Sequence, residues 1–138
     1  MKLQDITSGA VTGEVSLPNG LLWKDEFGWT PVASSVSYSL TGALIMEAGV
    51  RQKGRPITLE PPDESMAWVT RETVAQLRSW AGTADRKMKL VLEYPDDSRE
   101  FTVMFRHYDG AIEANPVKGF PQHGAGDWFH LTIRLIEV

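Results

Sequence analysis

Apolar and polar positions alternate most regularly in the second half of the chain. Met88, Leu90, Leu92 and Tyr94 interleave with Lys87, Lys89, Val91 and Glu93, and Phe101, Val103 and Phe105 with Thr102, Met104 and Arg106. A period of two over such stretches predicts strands with one buried face. Pro95-Asp96-Asp97-Ser98 between them is turn chemistry, so the pair reads as a β-hairpin. Trp128 to Val138 repeats the pattern, setting Phe129, Leu131, Ile133 and Leu135 against His130, Thr132, Arg134 and Ile136. From about Asp109 to Gly126 the density of Gly, Pro and Asn predicts a loop.

The period lengthens to a helical one after Thr70. That residue suits an N-cap, Glu72 is favourable in a first turn, and Val69 can staple onto Val74. Val74, Leu77 and Ala81 share a face with Trp80 beside them, and Gly82 is placed to close the helix at C′. At about ten residues it is too short to persist alone and must pack on a sheet. Ala67-Trp68-Val69 just before it reads as a short strand.

Further upstream, Val36, Tyr38 and Leu40 alternate with Ser37, Ser39 and Thr41, and Gly42 interrupts the strand as a bulge or bend. The strand resumes over Ala43–Met46, a charged loop is expected over Glu47–Gly54, and Ile57 and Leu59 mark a strand ended by Pro61-Pro62. Leu21, Leu22, Trp23, Phe27, Trp29 and Val32 make an apolar patch that either caps the core, the commoner fate, or forms a contact surface. Residues 1–22 are polar and without a sustained period. They predict an N-terminal arm that orders only against a partner, leaving 23–138 as a single β-rich domain.

Composition narrows the classes. A chain of 138 residues supports one domain with one real core. It contains no apolar run of the ~20 residues a membrane helix needs. The first twenty residues lack the apolar centre of a signal peptide, so the expectation is a protein that stays in the cell that makes it, with no membrane anchor. With no cysteine there are no disulfides, thiolate nucleophiles or thiolate metal sites. A net charge of −4 argues against a dedicated nucleic-acid binder.

The chemistry-bearing residues are scattered. His107, His123 and His130 have no neighbour at metal-ligand spacing. Asp96-Asp97 sit where a hairpin turn favours Asp, and Glu60, Asp63 and Glu64 lack the spacing of a calcium loop. Gly124-Ala125-Gly126 lacks the strand-to-helix context of phosphate binding. Arg51, Lys53 and Arg55 form a small basic cluster, read first as a solvated loop. No catalytic residue, metal or cofactor is expected from this inventory. An enzyme would have to rely on His123 with Asp127 or His107.

Five segments carry a resemblance: LLWKDEFGWTPV, YSLTGALIMEAGVRQKGRPITL, AWVTRETVAQLRSWA, FTVMFRH and FHLTIRLIEV. In these, and so over most of its length, the chain resembles small tail-tip and distal-tail (baseplate) structural proteins of long-tailed bacteriophages. The resemblance implies a mainly β fold with one short α-helix, a β-sandwich or barrel of the phage tail-tube type. It implies a virion protein, assembled in the host cytoplasm, that forms a hexameric ring around the DNA channel and joins the tail tube to the tip. Its partners would be further copies of itself, the tail tube, the tape-measure and tail-tip or hub proteins, with DNA passing but not bound by sequence. The loop at Glu47–Gly54 would correspond to the family's inter-subunit hairpin loop, with Arg51, Lys53 and Arg55 pairing with a neighbour's acidic residues, and Trp23, Phe27 and Trp29 as further contact candidates. The arm of residues 1–22 would lie across a neighbour. The competing expectation is a small soluble β-barrel binding module, in which Trp23, Phe27 and Trp29 line a ligand groove.

Overall fold

A computed structural model describes residues 1–117 and 124–138. Among these residues nine strands join one antiparallel sheet in the order β2 (Gly13–Ser16), β1 (Lys2–Asp5), β8 (Met88–Tyr94), β9 (Asp97–Phe105), β11 (Trp128–Glu137), β6 (Pro56–Glu60) and β3 (Leu22–Trp23), with β7 (Val69–Thr70) and β10 (Ile112–Pro116) also paired to β11, and β4 (Val32–Tyr38) and β5 (Leu44–Val50) form a separate two-stranded ribbon. Among the described residues there is one α-helix and the sheet does not close into a barrel.

The strongest alternations fold as the pattern predicts. β8 (Met88–Tyr94) and β9 (Asp97–Phe105) pair through a tight Pro95-Asp96 connection, with Leu90 opposite Phe101 and Met88 opposite Val103. β11 (Trp128–Glu137) buries Phe129, Leu131, Ile133 and Leu135 and is the hub of the sheet. It pairs with β6 (Pro56–Glu60), β7 (Val69–Thr70), β9 and β10 (Ile112–Pro116). β9 and β10 lie end to end along β11, with a 3₁₀ turn at His107–Asp109 between them. The register records the interruption: Phe105 faces Leu135, whereas Ile112 faces Ile133. β10 lies inside the stretch expected to be loop. Only Ile112 and Ala114 signal it, and Pro116 ends it.

Helix α1 (Arg71–Ala81) starts at the expected cap, with Thr70 Oγ1 accepting from the Thr73 amide at 3.4 Å. It buries Leu77 and Trp80 against the sheet, with Val74 and Ala81 partly covered. Gly82 closes it in a right-handed conformation, φ −73°, so the expected left-handed C′ residue is not formed. The Trp80 ring lies 3.1 Å from where a Cβ at Gly13 would stand, so that position favours glycine.

Residues 1–22 depart from expectation. They form no peripheral arm: β1 (Lys2–Asp5) lies within the sheet between β2 (Gly13–Ser16) and β8, and Leu3 is fully buried opposite Val15 and Leu90. Met1, Val15, Leu17 and Leu21 are also core. The segment orders itself because five of its apolar residues, Met1, Leu3, Val15, Leu17 and Leu21, are buried in the core. Asp5 is buried beside them and ion-paired to Arg86, with Thr7 Oγ1 donating to it at 2.7 Å. Burial pushes the Asp5 carboxyl up. The Thr7 hydrogen bonds, the Arg86 charge and Thr12 together outweigh it and hold the carboxyl below its ordinary value.

Candidate assembly surface

The chain reverses earlier than the sequence pattern suggests. β4 (Val32–Tyr38) pairs along its whole length with β5 (Leu44–Val50), from Val32 opposite Val50 to Tyr38 opposite Leu44. Gly42 is no strand bend. It closes the turn at φ +84°, donating its amide to Ser39 O at 2.9 Å, while Ser39 Oγ accepts from the Ala43 amide at 3.0 Å. A turn followed by a left-handed glycine is a standard three-residue hairpin connection. Residues Glu47–Val50, expected to be loop, are therefore strand, and the link to β6 is only residues 51–55.

Alternation gives this ribbon two unlike faces. Val32, Ser34, Val36 and Tyr38 share one face with their partners Val50, Ala48, Met46 and Leu44. Ala33, Ser35 and Ser37 share the other with Gly49, Glu47 and Ile45. Except for half-buried Ala33, every strand residue is exposed. On the apolar face Tyr38 is 72%, Val50 68% and Met46 63% exposed, and Leu40 stands fully exposed at the tip. This face is the surface that sequence reading missed. The i, i+2 signal Leu44-Met46-Ala48-Val50 is present, but Glu47 and Gly49 suggested a loop.

At the ribbon's root the Arg51 amide donates to Pro31 O at 2.7 Å and the Gly54 amide to Glu137 O at 2.9 Å. The six predicted contact residues separate here. Arg51 and Lys53 are exposed, with no ion pair among the described residues. Phe27 is 90% exposed and Trp29 half-buried. Trp23 is 3% exposed and belongs to the core. Arg55 is spent within its own chain: its guanidinium lies 5.0 Å from the Trp23 ring and 5.9 Å from that of Trp29, and its Nη2 donates to Glu26 O at 3.4 Å.

Arg99 lies 5.3 Å from the same Trp23 ring, so two guanidiniums pack on one indole. Phe101 meets that indole edge-on at 5.3 Å. Glu26 accepts from Arg99 at 2.5 Å and is the main reason the Arg99 guanidinium is held above its ordinary value. Nearby, buried Arg106 donates to Thr58 Oγ1 at 2.6 Å, and Thr58 Oγ1 donates to Asp25 at 2.9 Å. Arg55 and Arg99 pack on the buried Trp23 indole, so Trp23 does not stand open beside exposed Phe27 and half-buried Trp29.

The remaining chemical candidates stay apart. His107 begins the 3₁₀ turn and is exposed, with its ring 5.9 Å from that of Phe105. His130 is on β11, edge-on to Trp68 at 6.3 Å. His123 lies outside the described residues. Asp127 accepts from the Gly124 amide at 2.7 Å, and Asp63 organises its loop by accepting from Ser65, which lowers its carboxyl. Among the described residues no group of three or more His, Asp or Glu side chains could hold a metal ion. None of their helices is long and apolar enough to cross a membrane.

Compared with protein families, curated proteins and solved structures, the chain gives no significant match.

Proposed function

We propose that this chain is a structural, non-enzymatic subunit of a bacteriophage tail tip, with a fold of the tail-tube type, that assembles as a ring around the DNA channel. In this reading the β4–β5 ribbon is the element that bridges subunits, and the resemblance set out above supplies the tail context. The single observation that carries the reading is the ribbon's uncovered apolar face. An isolated two-stranded hairpin is marginal in water. Val32, Val36, Tyr38, Leu44, Met46 and Val50 are each more than half exposed. At about 100 Å² apiece they offer roughly 600 Å², the upper end of what a lone monomer displays and close to the ~800 Å² that each partner brings to a standard interface.

Covering that area contributes on the order of 15 kcal/mol per contact at ~25 cal/mol/Å² before association costs. Ring closure would also satisfy the ribbon's unpaired edges. The test is mass in solution with negative-stain imaging, run on the intact chain and on a variant in which residues 33–49 are replaced by two glycines. The expected result is rings from the intact chain and a folded monomer from the variant. A strictly monomeric intact chain at high concentration, with no ring alone or with tail partners, refutes the reading.

A further inference from the structure

A groove of about 750 Å³ runs between α1 and β10. Val74, Ala75 and Ala81 form its helix wall, and Ile112 and Ala114 its strand wall. Polar groups share the lining, and three features of them select an occupant.

The strand wall is an open sheet edge. Among the described residues β10 pairs with β11 alone. The Arg134 amide donates to Ala111 O at 2.8 Å and the Val117 amide to Trp128 O at 3.0 Å. Hydrogen-bonded pairs alternate along an antiparallel ladder, so Glu113 and Asn115 turn their backbone groups to β11. The amides and carbonyls of Ile112 and Ala114 therefore point away from β11, a ready template for another strand.

The second feature is charge. Arg71 and Arg78 line the helix side and are exposed, with no ion pair among the described residues. The Arg71 guanidinium lies 5.9 Å from the ring of Phe129, which also lines the groove. Glu113, the acidic residue in that lining, is already bonded to Arg134 at 2.9 Å.

Spacing is the third. Seven helical residues separate the two arginines by ~10 Å along the axis, with Val74 and Ala75 between them. In an extended strand, residues four apart lie ~13 Å apart and share a face with the residue midway. The pattern acid-x-apolar-x-acid thus sets one carboxylate at each arginine and an apolar side chain on Val74 and Ala75, the flexible arginine stems taking up the difference in length.

We infer that this groove binds an extended acidic segment of a partner protein, added as a strand to β10 with its carboxylates on Arg71 and Arg78. The inference is independent of the ring reading. In strand addition main-chain bonds supply affinity and alternate side chains supply specificity. Nucleic acids and lipid headgroups share the negative charge but bring no row of amides to the edge.

The probe is a fluorescein-labelled, end-blocked peptide of sequence TETVTET, followed by fluorescence anisotropy against the intact chain. Saturable binding is expected, with slowed hydrogen exchange at the Ile112 and Ala114 amides. Arg78→Glu should weaken it by about tenfold or more, and the double variant Arg71→Glu, Arg78→Glu should bind TKTVTKT instead. Methylating the peptide's Glu and Val amides, or its Thr amides, should abolish binding in one case and spare it in the other, because only alternate amides face β10. Both arginines are exposed, so the variants should keep the parent's melting midpoint. Should one unfold, the methylated peptides test the same contact on the unaltered chain. No binding of TETVTET, binding unchanged by Arg78→Glu, or any other methylation pattern overturns the proposal. So does an arginine-dependent preference for oligothymidylate or phosphatidylserine vesicles over the peptide, which would assign the groove to a nucleic acid or a membrane surface.

Discussion

Replacing Leu3 by Ala tests whether the N-terminal segment belongs to the core. Leu3 is fully buried between Val15 of β2 and Leu90 of β8. A buried Leu→Ala change costs about 2–5 kcal/mol, the upper end where neighbours cannot collapse into the space. Here both flanking strands are fixed by their own ladders, so the loss should lie above 3 kcal/mol on that scale. A domain of this size has on the order of 7–20 kcal/mol of total stability, and each kcal/mol shifts its midpoint by about 4 °C. Thermal unfolding followed by circular dichroism should therefore show a drop of roughly 12–20 °C. Gln4→Ala, one position along and on the opposite face with only an exposed bond to Glu14, should change stability by less than about 0.5 kcal/mol. A Leu3→Ala midpoint within a degree of the parent, or a cooperative transition retained after residues 1–17 are removed, would refute the placement of β1 in the core.

Three further outcomes follow from the same contacts. Asp5 has a lowered carboxyl in the folded state, so its contribution is present above its unfolded value near 3.8 and is lost as pH falls through the folded value. Asp5→Asn should flatten the stability profile below about pH 4 and lower stability at neutral pH, as read from denaturant midpoints across pH; an unchanged acid limb sinks this account. Arg55→Ala removes the guanidinium from Trp23 and Trp29 and should cost about 1–2 kcal/mol, with altered Trp fluorescence, whereas Lys53→Ala should be silent. Met46→Ser should leave the stability of the isolated chain within about 0.5 kcal/mol of the parent, because the residue is exposed. Its effect should appear only as a smaller mass in sedimentation, and a large loss of monomer stability would contradict the exposure of that face.

The elements legible in the sequence are those whose signal is local and repeated. β8, β9, β11 and α1 carry strong alternation or a capped 3.6-residue period, and each folds within a few residues of its expected bounds. β1 and β10 were hidden because both are short, β1 with Leu3 as its one apolar residue and β10 with only Ile112 and Ala114 to signal it. Their strand character comes from pairing with β8 and β11, and β8 is distant in sequence from β1. Gly42 was ambiguous for a different reason: a glycine in an alternating stretch marks a bend or a reversal equally well, and only the pairing of Val36 with Met46 decides between them. The contact candidates divided on the same principle. Arg51 and Lys53 remain exposed, but sequence spacing could not reveal that Trp23 would be enclosed by Arg55 and Arg99, brought from three separate parts of the chain.

The attachment of the ribbon to β11 has a mechanical consequence. A pull directed along β6 enters the body through the link at residues 51–55 and the bonds between Gly54, Arg55 and Glu137. β6 lies antiparallel to β11 from Pro56 opposite Ile136 to Leu59 opposite Ile133, so such a load slides one strand along the other. Ladder bonds sheared in this way must fail together, whereas bonds peeled from one end fail singly. β11 is in turn held by β9 and β10 on its other side, which spreads the strain across the sheet. Traction on the ribbon that runs along β6 therefore loads the β6–β11 ladder in shear.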